Sequence, residues 1–157
     1  MEVIIYISII AVIFMLVIST VLSFTGSYHK LTALRNVENS AVDALERMTR
    51  ELRDATDVNA AESVLGTSPG VLTLTKTYEG ISTTTKFYVG DEILKIDVNG
   101  SYVGPLSGAG VRVTSLVFNL ITTPRSQAVK VGITLNGTDG QTSVVKTYYS
   151  TIMLTGL

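Results

Sequence analysis

Residues 3–24 read VIIYISIIAVIFMLVISTVLSF. Between Glu2 and Lys30 there is no Asp, Glu, Lys or Arg, and only Ser8, Ser19, Thr20 and Ser23 interrupt the apolar run. As a helix this run spans about 33 Å, close to the thickness of a bilayer's hydrocarbon core. Its many β-branched residues disfavour a helix in water, but in lipid a helix is the one way a single segment can satisfy its own backbone polar groups. The hydroxyls can return hydrogen bonds to carbonyls one turn back. Tyr28 and His29 follow where amphipathic rings meet headgroups. A secretory signal peptide would have a shorter apolar region, bases in front and a small-residue cleavage site behind. This segment has an acid in front and no Ala-x-Ala site. Residues 1–28 therefore read as an uncleaved apolar membrane helix.

Glu2 stands at the edge of this run and admits two readings. It is a helix N-terminal acid in the headgroup region, where it complements the dipole. Or it is a buried acid that pairs with a neighbouring subunit's N-terminal amine.

Outward from the apolar run, residues 29–55 read HKLTALRNVENSAVDALERMTRELRDA. Leu31, Leu34, Val37, Ala41, Leu45, Met48, Leu52 and Ala55 recur at steps of three and four, a helical stripe. Arg35, Glu38, Asp43, Glu46, Arg47, Arg50, Glu51, Arg53 and Asp54 lie mostly off it, and Glu46–Arg50 is a favourable i, i+4 pair. The spacing predicts one long helix to about residue 55, loosened or kinked near Gly26, with its second half packed on the rest of the chain.

Beyond Ala55 the period becomes two. Residues 56–70 read as a loop, and strands are predicted at 71–75 and about 82–89, 92–98, 111–121, 128–136 and 143–154. Val129, Val131, Ile133 and Leu135 alternate with Lys130, Gly132 and Thr134. Asn99-Gly100 and Asn136-Gly137 are two-residue turn signals, since both central positions of a type I′ turn need positive φ. Gly104-Pro105 and Gly108-Ala109-Gly110 mark a longer loop. Short connections imply an antiparallel meander, covered on one face by the stripe of residues 31–55. The expected fold class is α+β: a long N-terminal helix on an antiparallel sheet spanning about 71–157, with residues 29–157 forming the globular domain.

The 157-residue chain carries 12 Lys+Arg against 13 Asp+Glu, a formal net charge of −1, one His and no Cys. That balance argues against electrostatic nucleic-acid binding, and the absence of Cys removes disulfides and thiolate metal sites. Catalytic patterns are thin. Gly66-Thr67-Ser68-Pro69-Gly70 matches G-x-S-x-G, but a nucleophile elbow needs a strand before it and a helix after it, the reverse of the order here. Asp91-Glu92 with Asp97, or Asp139 near Asn136, could offer oxygens to Ca²⁺, though turn chemistry explains them better. Asn99-Gly100-Ser101 and Asn136-Gly137-Thr138 also match N-x-[ST], and each is already explained as a turn. No catalytic, cofactor-binding or metal residue is expected.

An acid opening an apolar helix of membrane length, an amphipathic continuation and a C-terminal antiparallel sheet together resemble a type IV pilin-like protein. The specific part is Glu2-Val3-Ile4-Ile5-Tyr6-Ile7-Ser8-Ile9-Ile10-Ala11, which is similar to the start of prepilin-type helices. Ala44-Leu45-Glu46-Arg47-Met48-Thr49-Arg50-Glu51-Leu52-Arg53-Asp54-Ala55 and Gly110-Val111-Arg112-Val113-Thr114-Ser115-Leu116-Val117-Phe118 look like the helix end and a late strand of the J-type minor pseudopilins of type II secretion. The resemblance implies a non-enzymatic filament subunit with no cofactor. It waits in the inner membrane as a single-pass protein and is then moved by an assembly machinery into an extracytoplasmic or cell-surface filament. Its partners would be copies of itself or other pilin-like subunits, that machinery, and membrane lipid before assembly. Glu2 would be the assembly residue. In the family the glutamate follows a basic leader that is cleaved off; in this sequence Lys30 and Arg35 follow the apolar segment and no base precedes it. Taken alone, that asymmetry favours the opposite membrane orientation, which a basic leader would reverse. The competing reading is a membrane-anchored β-domain for binding or sensing that forms no filament.

Overall fold

A computed structural model describes residues 2–123 and 126–155. Helix α1, Glu2–Asp54, is one uninterrupted helix of 53 residues, about 80 Å long. It passes through Gly26 without a break. The ~1 kcal/mol that a helical glycine costs does not interrupt a ladder extended on both sides. The expected loosening there is not seen. At its far end the Thr155 hydroxyl donates to the Arg53 carbonyl at 2.7 Å, and Ala55 N–H bonds to Leu52 O at 3.3 Å. These bonds satisfy carbonyls that lack helical partners, where the β-branched Thr56 and Val58 begin extended structure.

Among the described residues eight strands follow, all paired antiparallel: β1 (Asp57–Val58), β2 (Leu72–Tyr78), β3 (Ile81–Gly90), β4 (Ile93–Val98), β5 (Ser101–Pro105), β6 (Val111–Thr123), β7 (Ser126–Asp139) and β8 (Thr142–Met153). They form two meanders rather than the single expected one: β1-β2-β3-β4-β5 and β6-β7-β8. The fold is α+β, with α1 lying chiefly on β7 and β8. The larger sheet ends just past Pro105: Leu106 N–H still bonds to Leu94 O at 2.7 Å, and Leu94 N–H then donates to the Ser107 hydroxyl at 3.3 Å in place of a strand partner. The chain then passes beneath α1, where Gly108 N–H donates to Ser40 Oγ at 3.1 Å. Three backbone bonds join the two sheets: Val113 N–H to Glu92 O, Gly66 N–H to Phe118 O and Gly70 N–H to Leu116 O, each 2.7 Å.

One apolar core lies between the three parts. Met48 and Leu52 of α1 meet Leu72, Phe87 and Leu94 of the larger sheet and Leu116, Phe118, Val131 and Ile133 of the smaller one, all fully buried. Each such side chain contributes about 1.5–3 kcal/mol. The helix face differs in detail from the predicted stripe. Leu31 is exposed and Leu34 and Leu45 are half-buried, whereas Ala33, Ser40 and Ala44 are buried. Small residues let the backbone of α1 settle close on β7, and bulkier Leu side chains are displaced to the margin.

The turns explain the other corrections. Asn99 and Gly100 have φ of 51° and 76° and close β4 to β5 as expected of a type I′ turn. Gly104-Pro105 lies in β5 and not in a loop. Asn136-Gly137 is not a turn: both residues lie inside β7, opposite Arg112 and Val111. The actual turn is Gly140-Gln141, between the paired Asp139 and Thr142. Gly137 is needed for a different reason. A Cβ there would overlap Val37 Cγ2 and stand 2.9 Å from the Ala33 carbonyl oxygen. Gly137→Ala is expected to destabilise the full chain in detergent by about 1–3 kcal/mol on urea titration, because it lifts α1 off β7. Gly104→Ala, with nothing within 4 Å of the added methyl, should fall within about 0.5 kcal/mol of the parent. Equal effects would contradict the close approach.

Candidate functional site

The largest unsatisfied feature of the fold is the first half of α1. Every residue from Glu2 to Tyr28 is exposed, and His29 is the first to be half-buried. Phe14, Met15 and Phe24 expose 67%, 76% and 74% of their surface, far beyond what a water-soluble surface carries in one contiguous patch. One helix of this chain is thus long and apolar enough to cross a membrane.

Its serine and threonine hydroxyls are internally satisfied. The hydroxyls of Ser8, Ser19, Thr20 and Ser23 donate to the carbonyls of Ile4, Leu16, Leu16 and Ser19 at 2.8–3.0 Å. Thr25 and Ser27 do the same to Val21 and Ser23, each at 3.0 Å. A hydroxyl that bonds back into its own helix can enter an apolar medium without an unpaired donor. Glu2, the expected assembly residue, occupies the first turn of α1 and is exposed. The structure brings no other expected site residue to it.

The join between apolar helix and β-domain is a clasp that the sequence reading missed. His29 Nδ1 and Asp139 Oδ2 stand 3.1 Å apart, with side chains 40% and 30% exposed. The link spans more than a hundred residues, so nothing in local spacing signals it. Tyr28 packs edge-on beside His29, with ring centroids 6.3 Å apart. Together with Gly137 under Val37, the clasp fixes the β7–β8 turn to α1 just beyond the last apolar turn.

The residues weighed for chemistry have structural work. Ser68 Oγ accepts from Leu116 N–H at 3.2 Å and so helps hold the loop after β1 along the edge of β6. His29 is engaged with Asp139 and not with Ser68. Asp91 pairs with Lys95 at 2.8 Å, Glu92 with Arg112 at 2.8 Å, and Asp97 accepts from the Tyr88 hydroxyl at 3.2 Å. The hydrogen bond from Lys95, and then its charge, hold the Asp91 carboxyl below the usual carboxylate range. These contacts stabilise a turn in which Asp91 and Glu92 both adopt positive φ, 58° and 61°. Asn99 Oδ1 accepts from Thr84 N–H at 2.9 Å, and Asn136 Oδ1 from Ser143 Oγ at 2.7 Å. The expected Glu46–Arg50 pair is replaced by Arg47–Glu51 at 2.8 Å. Among the described residues no group of His and acidic side chains is placed to hold a metal ion.

Compared with known proteins, the chain matches no family model, no curated protein and no solved structure. The reading of its function therefore rests on its own geometry.

Ser68→Ala is expected to lower stability by about 1–2 kcal/mol, because the Leu116 N–H loses its partner. Ser68→Thr, which keeps the oxygen, should recover most of that loss in the same denaturation assay. Full stability in the alanine variant would show that the Ser68 bond contributes nothing.

Proposed function

We propose that this chain is a structural, non-catalytic subunit of a type IV pilus-like or type II secretion pseudopilus filament, inserted in a membrane through residues 3–24 and assembled through the same helix. The observation that supports this most is the continuity of α1. One helix is both the exposed apolar segment and the buried spine of the β-domain. An apolar helix that leaves lipid must find another apolar medium, and the equivalent helices of neighbouring subunits packed side by side supply it. The β-domains then lie outside, held off by rigid stems. Glu2 would enter that apolar bundle with the helix, and a carboxylate taken from water needs a cationic partner. By the resemblance, that partner would be the N-terminal amine of an adjacent subunit.

The test compares parent and Glu2→Ala in cells. The parent is expected in filaments released by shearing, with a second pool in membranes. Glu2→Ala should keep the membrane pool, with the β-domain as protease-resistant as in the parent. It should reduce the sheared filament pool by about tenfold or more, as loss of one partner of a buried charge pair implies. Unchanged filament yield from the variant would remove the role of Glu2. A parent found only in membranes would favour a permanently anchored β-domain.

A further inference from the structure

Helix α1 also serves as a ruler for where the β-domain sits. His29 lies five residues past Phe24, about 7.5 Å along the axis, and each headgroup layer is roughly 5–7 Å deep. The His29–Asp139 clasp therefore sets the β7–β8 turn at the outer margin of the headgroups, with no flexible stalk between. Lys30 lies at this level and Arg35 five residues, about 7.5 Å, further along the axis, and both are exposed. Helical side chains tilt toward the helix N-terminus, which here is toward the membrane.

The neighbouring acids are occupied. Asp139 is held by His29, and Glu38, the next acid along α1, pairs with Lys146 of β8 at 3.2 Å. Among the described residues Lys30 and Arg35 form no ion pair. Gln141 and Thr142, which complete the turn, are uncharged. The base of the domain thus presents two cations without an ion-pair partner toward the membrane surface, Lys30 at the headgroup margin and Arg35 above it.

We propose that this base, the 139–142 turn with Lys30 and Arg35, rests on the bilayer surface and gathers anionic lipid headgroups around the helix. The proposal rests on the reading that residues 3–24 lie in the bilayer. It is independent of filament formation. Each base that reaches the anionic surface should enrich charged lipid by up to about fivefold, less as salt screens it.

The chain has no Cys, so single Phe14→Cys, Gln141→Cys and Tyr78→Cys variants of the full chain can each carry one spin label. They are placed in vesicles of phosphatidylcholine containing about one quarter phosphatidylglycerol. Tyr78 lies two residues past Lys76, which pairs with Asp54 at the far end of α1, about 37 Å along the axis from His29. A nickel chelate fixed to lipid headgroups should relax the label at 141 strongly and the label at 78 hardly at all. The label at 14 should be reached by oxygen and not by nickel. Around the unlabelled chain, spin-labelled phosphatidylglycerol should be restricted several-fold more than spin-labelled phosphatidylcholine. The preference should fall toward unity in Lys30→Gln/Arg35→Gln, with the 141 label unmoved in that background. Equal restriction of the two lipids, or a label at 141 beyond the nickel's reach, would overturn the proposal while the membrane helix stands. A label at 14 exposed to water would overturn both.

Discussion

The hydrogen-bond ladder of α1 is the constraint on which everything else depends. A backbone that crosses from an apolar medium into water has to satisfy its N–H and C=O groups on both sides of the boundary, and an unbroken helix does so without a linker. Because no linker intervenes, whatever packs on the second half of α1 is fixed in position relative to the first half. The small face of Ala33, Val37, Ser40, Ala41 and Ala44, with Gly137 opposite, makes that attachment close. The His29–Asp139 clasp fixes its lowest point. The domain is consequently a rigid head on a rigid stem.

The rest of the β-domain follows from the need to cover the other side of that attachment. Three strands of the smaller sheet bury one face under α1. Their remaining core edge is closed by the larger sheet, which meets it through backbone bonds from the turn at Glu92 and from the loop at Gly66–Gly70. A loop that resembles a nucleophile motif is in this setting a seam between sheets. The acidic turns that could suggest a cation site are closed by their own lysine and arginine. The same side chains that look chemically active in one dimension are spent on geometry in three.

What could be read from the sequence followed from periodicity. The apolar run, the switch from helical steps to alternation, and the Asn99-Gly100 turn each depend on neighbours a few residues apart, and each gave the correct element. The failures lie where distant residues meet. Asn136-Gly137 has the composition of a turn, yet its glycine serves a helix a hundred residues earlier. Ala33, Ser40 and Ala44 carry little hydrophobic signal, yet they form the contact face because closeness outweighs apolarity there. The split into two sheets and the clasp at His29 are likewise set by non-local pairing. Of the candidate site, the exposed apolar helix was legible, whereas the clasped base of the domain needed the fold.

The central claim is that α1 serves as membrane segment, filament core and spine of the head. Electron cryo-microscopy of material sheared from cells producing the intact protein tests it most directly. The account predicts filaments with parallel α1 helices packed at the axis, residues 3–24 buried among them, and the β-domains forming the outer surface. Filaments built through the β-domains with residues 3–24 outside the core would contradict it, as would the absence of this chain from any filament while it remains abundant in membranes.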